Sequence, residues 1–141
     1  MMRLILFLSA LLLSPPTLYA ATSSPSASNS PDERAYVRRA FFTSGIENRE
    51  PTGKSDFFYT TSNTVFFFTE LRGMQGETVR YRWSYANKVV AEVEFSVTSH
   101  RWRSASSKDL LPEWIGEWNV ELLNSQGEIL VKKSFTYKEA P

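Results

Sequence analysis

The sequence predicts an all-β fold: an immunoglobulin-like antiparallel β-sandwich of about seven strands, occupying residues 35–138. Three observations carry this. Aromatic residues make up 14% of the chain, and with Val and Thr they are dense along residues 35–138. Polar or glycine-containing turns interrupt the apolar segments at short intervals, the spacing expected of short strands in a sandwich. The alternation of inward and outward residues is explicit around Asn87, where one strand pair resolves into an apolar and a charged face.

The chain has 141 residues and opens with a segment that reads as an export signal. Arg3 supplies the positive start, Leu4 to Leu13 are ten consecutive residues dominated by apolar side chains, and Leu18-Tyr19-Ala20 ends in a small residue suited to cleavage. Crossing a bilayer takes about 20 apolar residues in a helix, so no membrane span is expected after cleavage. Residues 1–20 are therefore expected to be a signal peptide, and the product periplasmic or secreted. Without Arg3, fifteen basic side chains face fifteen acidic ones. A neutral chain has no global field drawing it to nucleic acid, so no nucleic-acid partner is expected. In Thr22 to Pro31, eight of ten residues are Ser, Thr or Pro, a composition with nothing to bury; residues 21–34 read as a flexible leader.

Strands are expected at 37–44, 64–70, 77–85, 89–98, 101–106, 117–123 and 129–137, with a short additional one at 57–60. A capping-box-like spacing of Ser106 and Asp109 suggests a turn or two of helix near 107–111, which Pro112 would limit. Around Asn87, a three-residue loop of Ala86, Asn87 and Lys88 sets Tyr85 opposite Val89. The same register sets Val79 opposite Phe95, Tyr81 opposite Val93 and Trp83 opposite Ala91. The other face then pairs Arg80 with Glu94 and Arg82 with Glu92. A loop one residue shorter would set Tyr81 against Glu92 and scramble both faces, because side chains alternate along a strand. Trp83, centred on this strand, is the expected packing anchor. Asn124 to Gly127 signal a second hairpin, joining Trp118, Val120 and Leu122 to Ile129, Val131, Phe135 and Tyr137, with Lys133 interrupting the second series.

Composition narrows the chemistry. The absence of cysteine excludes disulfides, thiolate nucleophiles and zinc sites of the Cys/His kind, and the single histidine, His100, makes no multi-histidine metal cage. No metal or cofactor is expected. Ser99 and His100 are adjacent, but neighbours in extended chain point apart and no G-x-S-x-G elbow presents a serine. Paired carboxylates for glycoside hydrolysis are a weak signal among fifteen acids, of which Glu92 and Glu94 already have arginine partners. No catalytic residue is assigned and the chain is read as a non-enzyme.

Aromatic and arginine residues are more informative. Arg101-Trp102-Arg103 places a tryptophan between two arginines on the opposite face, either as a clamp for an acidic partner or an aromatic platform with arginine support, or with Trp102 buried and both arginines paired across strands. Phe66-Phe67-Phe68 cannot all point to one face, so the run leaves an aromatic outside the inter-sheet core, either as a binding patch or under cover of the 47–55 or 108–116 segment. Trp114, beside Pro112 in a connection, is expected to be partly exposed. The candidate partner-binding residues are thus Arg101, Trp102, Arg103, Phe67 and Trp114. The partner expected is an envelope protein, with carbohydrate or cell-wall glycan bound through exposed aromatics as the alternative.

Four segments, Phe67 to Leu71, Tyr81 to Tyr85, Arg101 to Arg103 and Gly116 to Glu121, occur in an order that resembles the bacterial family called domain of unknown function 2914. The likeness spans nearly all of 40–137. It implies an exported or membrane-attached bacterial module, with no activity to carry over. At the place of Tyr81, the resemblance implies that the family often holds His.

Overall fold

A computed structural model describes residues 35–141, so the signal peptide and the leader read from the sequence lie outside the described residues. Nine strands follow in order: β1 (Tyr36–Glu47), β2 (Glu50–Lys54), β3 (Phe57–Tyr59), β4 (Thr64–Arg72), β5 (Thr78–Tyr85), β6 (Lys88–Ser96), β7 (Arg101–Asp109), β8 (Gly116–Leu123) and β9 (Ile129–Lys138). One sheet has the order β2-β1-β4-β7 and the other β3-β9-β8-β5-β6. The pairings are antiparallel except β3 with β9, which is parallel. The chain thus forms the β-sandwich that the sequence predicts, with nine strands in place of about seven. Two differences account for the surplus: the short strand at Phe57 is real, and Glu50–Lys54, read as loop, pairs with the end of β1.

The core lies between the sheets and is largely aromatic. Phe42 and Phe67 enter from one sheet, and Tyr81, Trp83, Trp118 and Phe135 from the other, all buried. Trp118 stacks on Phe135 with ring centroids 6.0 Å apart, and Phe42 meets Phe135 edge-on at 4.7 Å. Trp83 is the anchor expected of it: fully buried, its indole N–H donates to the Ser106 hydroxyl at 2.9 Å. Tyr81, buried beside it, shares a hydrogen bond with Thr69 across the layers. These two contacts place β5 beneath β4 and β7.

The register around Asn87 is as read from alternation, from Val79–Phe95 through Trp83–Ala91, and so are the pairs Arg80–Glu94 and Arg82–Glu92. At the turn the structure corrects the reading. The loop has two residues, Ala86 and Asn87, both in the left-handed region (φ 49° and 61°), and Tyr85 stands opposite Lys88. A bulge between Trp83 and Ser84 then absorbs the one-residue difference, leaving Val90 as the extra residue.

The helical turn expected near 107–111 is absent. Ser107, Lys108 and Asp109 continue β7, where they pair with Phe66, Val65 and Thr64, and Thr64 donates to Asp109 at 2.6 Å. Cross-strand bonds along β4 outweigh a local capping signal, because a nascent two-turn helix has little stability of its own. In the second hairpin Gly127 takes φ 80° and its N–H bonds Asn124 at 3.1 Å. Lys133, opposite Val120, is exposed.

Candidate functional site

The triple phenylalanine resolves by alternation. Phe67 faces inward and is 0% exposed, against Phe42 at 4.9 Å and Tyr81 at 6.0 Å. As a core side chain it offers nothing to a partner, which corrects its place among the partner-binding residues. Phe68 points to the outer face instead and is nonetheless buried. Its cover is the hairpin of β1 and β2. In sheet order β2 stands three strand spacings from β7, about 14 Å, yet Glu50 on β2 pairs directly with Arg103 on β7. The hairpin must therefore curl over the outer face of β4 and β7. There Phe41 packs on Phe68 at 5.5 Å, the Arg39 guanidinium lies 5.0 Å above the Phe68 ring, and Ile46 and Arg49 line a small cleft beside it.

On this outer face the structure assembles an arginine cluster. Glu70 of β4 stands opposite Arg39 of β1 and Arg103 of β7. Its carboxylate, essentially buried, receives Arg39 at 2.7 Å, Arg72 at 2.8 Å and Arg101 at 3.1 Å, with Arg38 at 3.6 Å. Glu50 binds Arg39 at 3.1 Å and also Arg103. Burial of Glu70 would raise its pKa, but Arg39 above all, then Arg72 and Arg101, outweigh that and hold the carboxyl below its usual range. Hydrogen bonds from Arg39 and Arg103 lower Glu50 likewise, and the same contact with Glu50, ahead of Glu70, raises Arg39 against the effect of its own burial.

The cluster is unbalanced. Five guanidinium groups share two carboxylates, and Arg49, a sixth beside them, has no carboxylate within 4.0 Å among the described residues. Arg49 is set by a two-residue turn with Asn48, both residues left-handed (φ 51° and 62°). It joins Ser99, Arg101, Trp102 and Arg103 around a cleft of about 280 Å³ at the start of β7. Such a cleft, lined by three guanidinium forks, presents planar donors suited to carboxylates or other oxyanions.

Of the residues singled out from sequence, Arg101, Trp102 and Arg103 come together here. Both arginines have cross-strand partners, as one reading of the motif expected, and Trp102 is half-buried against the core, its indole N–H without an acceptor among the described residues. Trp114 does not join them. It lies past the far end of β7, packed on Trp118 at 5.7 Å and Tyr85 at 6.4 Å, with the Lys108 ammonium 5.2 Å over its ring. Arg38, Arg39, Arg49, Arg72, Glu50 and Glu70 were not legible as a site. Glu70 and Arg72 alternate with Phe68 in sequence, but their pairing with β1 and β7 links positions about 30 residues apart.

Comparison with known proteins gives a family match over part of the chain and little more. No curated protein matches. One solved structure, described as the crystal structure of endonuclease/exonuclease/phosphatase from Beutenbergia cavernae DSM 12333, is similar over 71% of this chain and 27% of its own length, at 15% identity and TM-score 0.32. The present chain thus spans about a quarter of that structure's length. The resemblance read from the sequence is supported from Gly76 onward, a span that includes three of the four motif segments and leaves Phe67 to Leu71 outside. Residues 76–137 match the model of the family described as Protein of unknown function (DUF2914).

Proposed function

We propose that this chain is an exported, non-catalytic β-sandwich module of the bacterial envelope that binds a protein partner through the start of β7, with Arg101 and Arg103 as the principal contacts and Arg49 beside them. The observation that carries this is the arginine excess around Glu70 and Glu50. A purely structural ion network gains nothing from surplus like charge held on one face, whereas a partner bearing carboxylates completes it. Ser99 supports the non-catalytic reading, since its hydroxyl donates to the Arg101 carbonyl at 2.8 Å and so serves the backbone of the turn. Export to the periplasm or outside the cell rests on the first twenty residues of the sequence.

In-cell photo-crosslinking from probes at Arg101 and Arg103, read by mass spectrometry, tests this. A discrete protein adduct at either position, suppressed by Arg49→Glu, is the expected result. Clean monomer at both, with export and probe incorporation confirmed, would overturn it.

One observation favours glycan binding as the second reading. Phe57 and Tyr59, both exposed, project on the same side of the short edge strand β3, about 7 Å apart along the chain. Lys138 lies 4.3 Å over the Phe57 ring and already occupies it, which is why this reading ranks below the first. Glycan titration that shifts the melting temperature of the protein but not of Phe57→Ala would promote it.

A further inference from the structure

We infer that the protein partner at the start of β7 is a second copy of this chain, docked by its β6. The inference rests on the reading above that Arg101 and Arg103 face a protein, and it names that protein.

β6 and β7 are the terminal strands of their sheets, each with one unpaired backbone edge. They lie on the same side of the sandwich but are not level. β7 stands over β5, as the Trp83–Ser106 bond shows, and β6 extends one strand further, past the last strand of the other sheet. The inner face of β6 consequently meets water in part: Val93 is 38% exposed, with Ala91 and Phe95 half-buried on either side of it, while Tyr81 and Trp83 on neighbouring β5 are fully buried. The side of the molecule is a step, with an apolar tread and a polar backbone riser.

A second copy related by a twofold axis parallel to the strands fills that step. β6 and β7 run in opposite directions, since β4 is antiparallel to β7, β5 to β6, and the inter-layer contacts cross β4 and β5 head to tail. The axis preserves strand direction, so the copy's β6 arrives antiparallel beside β7 and lies over the first copy's β6, the face of Ala91, Val93 and Phe95 against its counterpart. Both seams form at once and the assembly closes, as an isologous dimer must.

The side chains agree with that placement. Arg101 and Arg103 lie on the outer face of β7, and Glu92 and Glu94 on the outer face of β6. The axis leaves each strand at its own height, and Val93 is about level with Ser104 through Tyr81 and Thr69, so Glu94 of the second copy comes opposite Arg103. A slide of two residues would set Glu92 and Glu94 opposite Arg103 and Arg101. Opposite charges directly across an antiparallel pair are favourable, and a glutamate that already meets Arg80 or Arg82 retains lone pairs for a second donor. The groups are accessible for it: Arg101 is 50% and Glu94 60% exposed in the single chain.

Sedimentation of the purified protein tests the inference. The expected result is a dimer whose dissociation constant rises at least about tenfold in Arg101→Glu/Arg103→Glu and in Glu92→Arg/Glu94→Arg. Mixing the two reversed variants should restore a heterodimer, because each seam then joins opposite charges again. Should Glu92→Arg/Glu94→Arg fail to fold against Arg80 and Arg82, Glu92→Gln/Glu94→Gln must weaken the dimer instead. A wild-type monomer at about 100 μM, or a dimer indifferent to every one of these changes, overturns the inference. Monomer together with a crosslinked adduct of another protein at Arg103 overturns the second copy and leaves the partner reading standing; monomer with no adduct overturns both.

Discussion

Glu70→Gln isolates the carboxylate that organises the arginine face. The substitution keeps shape and one acceptor oxygen but removes the negative charge that meets Arg38, Arg39, Arg72 and Arg101. Breaking a buried ion pair from one side costs about 3–5 kcal/mol, since the opposite charge is left without compensation. The guanidinium groups here keep between 18% and 53% of their exposure, and water compensates them in part, which places the loss near the lower end, about 3 kcal/mol. For a domain of this size each kcal/mol is about 4–8 °C in Tm, so the melting temperature should fall by roughly 12–24 °C at pH 7. The pH dependence supplies an internal control. A carboxyl whose pKa is lower folded than unfolded stabilises the protein fully above the unfolded value, about 4.3 for Glu, and the stabilisation is lost as pH falls through the folded value. Wild type and Glu70→Gln should therefore differ most at neutral pH and converge in acid. Thermal melts by circular dichroism from neutral to acid pH would show it. Equal melting temperatures at pH 7, or curves that stay parallel into acid, would refute the assignment of Glu70 as the charge holding the cluster together.

Thr69→Val leaves the buried Tyr81 hydroxyl without Thr69 as its partner, and denaturant titration should show a loss of about 1–3 kcal/mol. Arg49→Gly relieves a left-handed residue at a two-residue turn and should raise stability by about 0.5–1 kcal/mol while weakening any crosslink captured at Arg103. Trp102→Ala, at a half-buried position on the rim of the core, should cost about 2 kcal/mol in the same titration, less than the 3–5 expected of a fully buried tryptophan.

The two hairpins show how far alternation reaches. Arg80, Arg82, Glu92 and Glu94 share a face in the structure as they do in the sequence, because a hairpin pairs residues only a few positions apart and any slip reverses every side chain. The same rule left Phe66 to Phe68 undecided. Alternation says that one set points outward, but which set is covered depends on a hairpin about 20 residues upstream curling over β4. The helix expected near 107–111 failed for the same reason in reverse: a local signal there competed with a strand partner 45 residues away and lost.

By itself the sequence determined that this chain is all-β, that Trp83 anchors its core and that the Asn87 hairpin has one charged face, since each follows from side-chain alternation and turn chemistry within a few residues. Only the tertiary structure decided that Phe67 is core, that Trp114 stands apart from Trp102, and that Arg39, Arg72, Arg101 and Arg103 converge on Glu70 and Glu50. Those facts depend on which strands become neighbours across 30 or more residues and on how one hairpin folds over a sheet. Pairing of that kind is set by the burial of the whole core, which no local pattern of residues encodes.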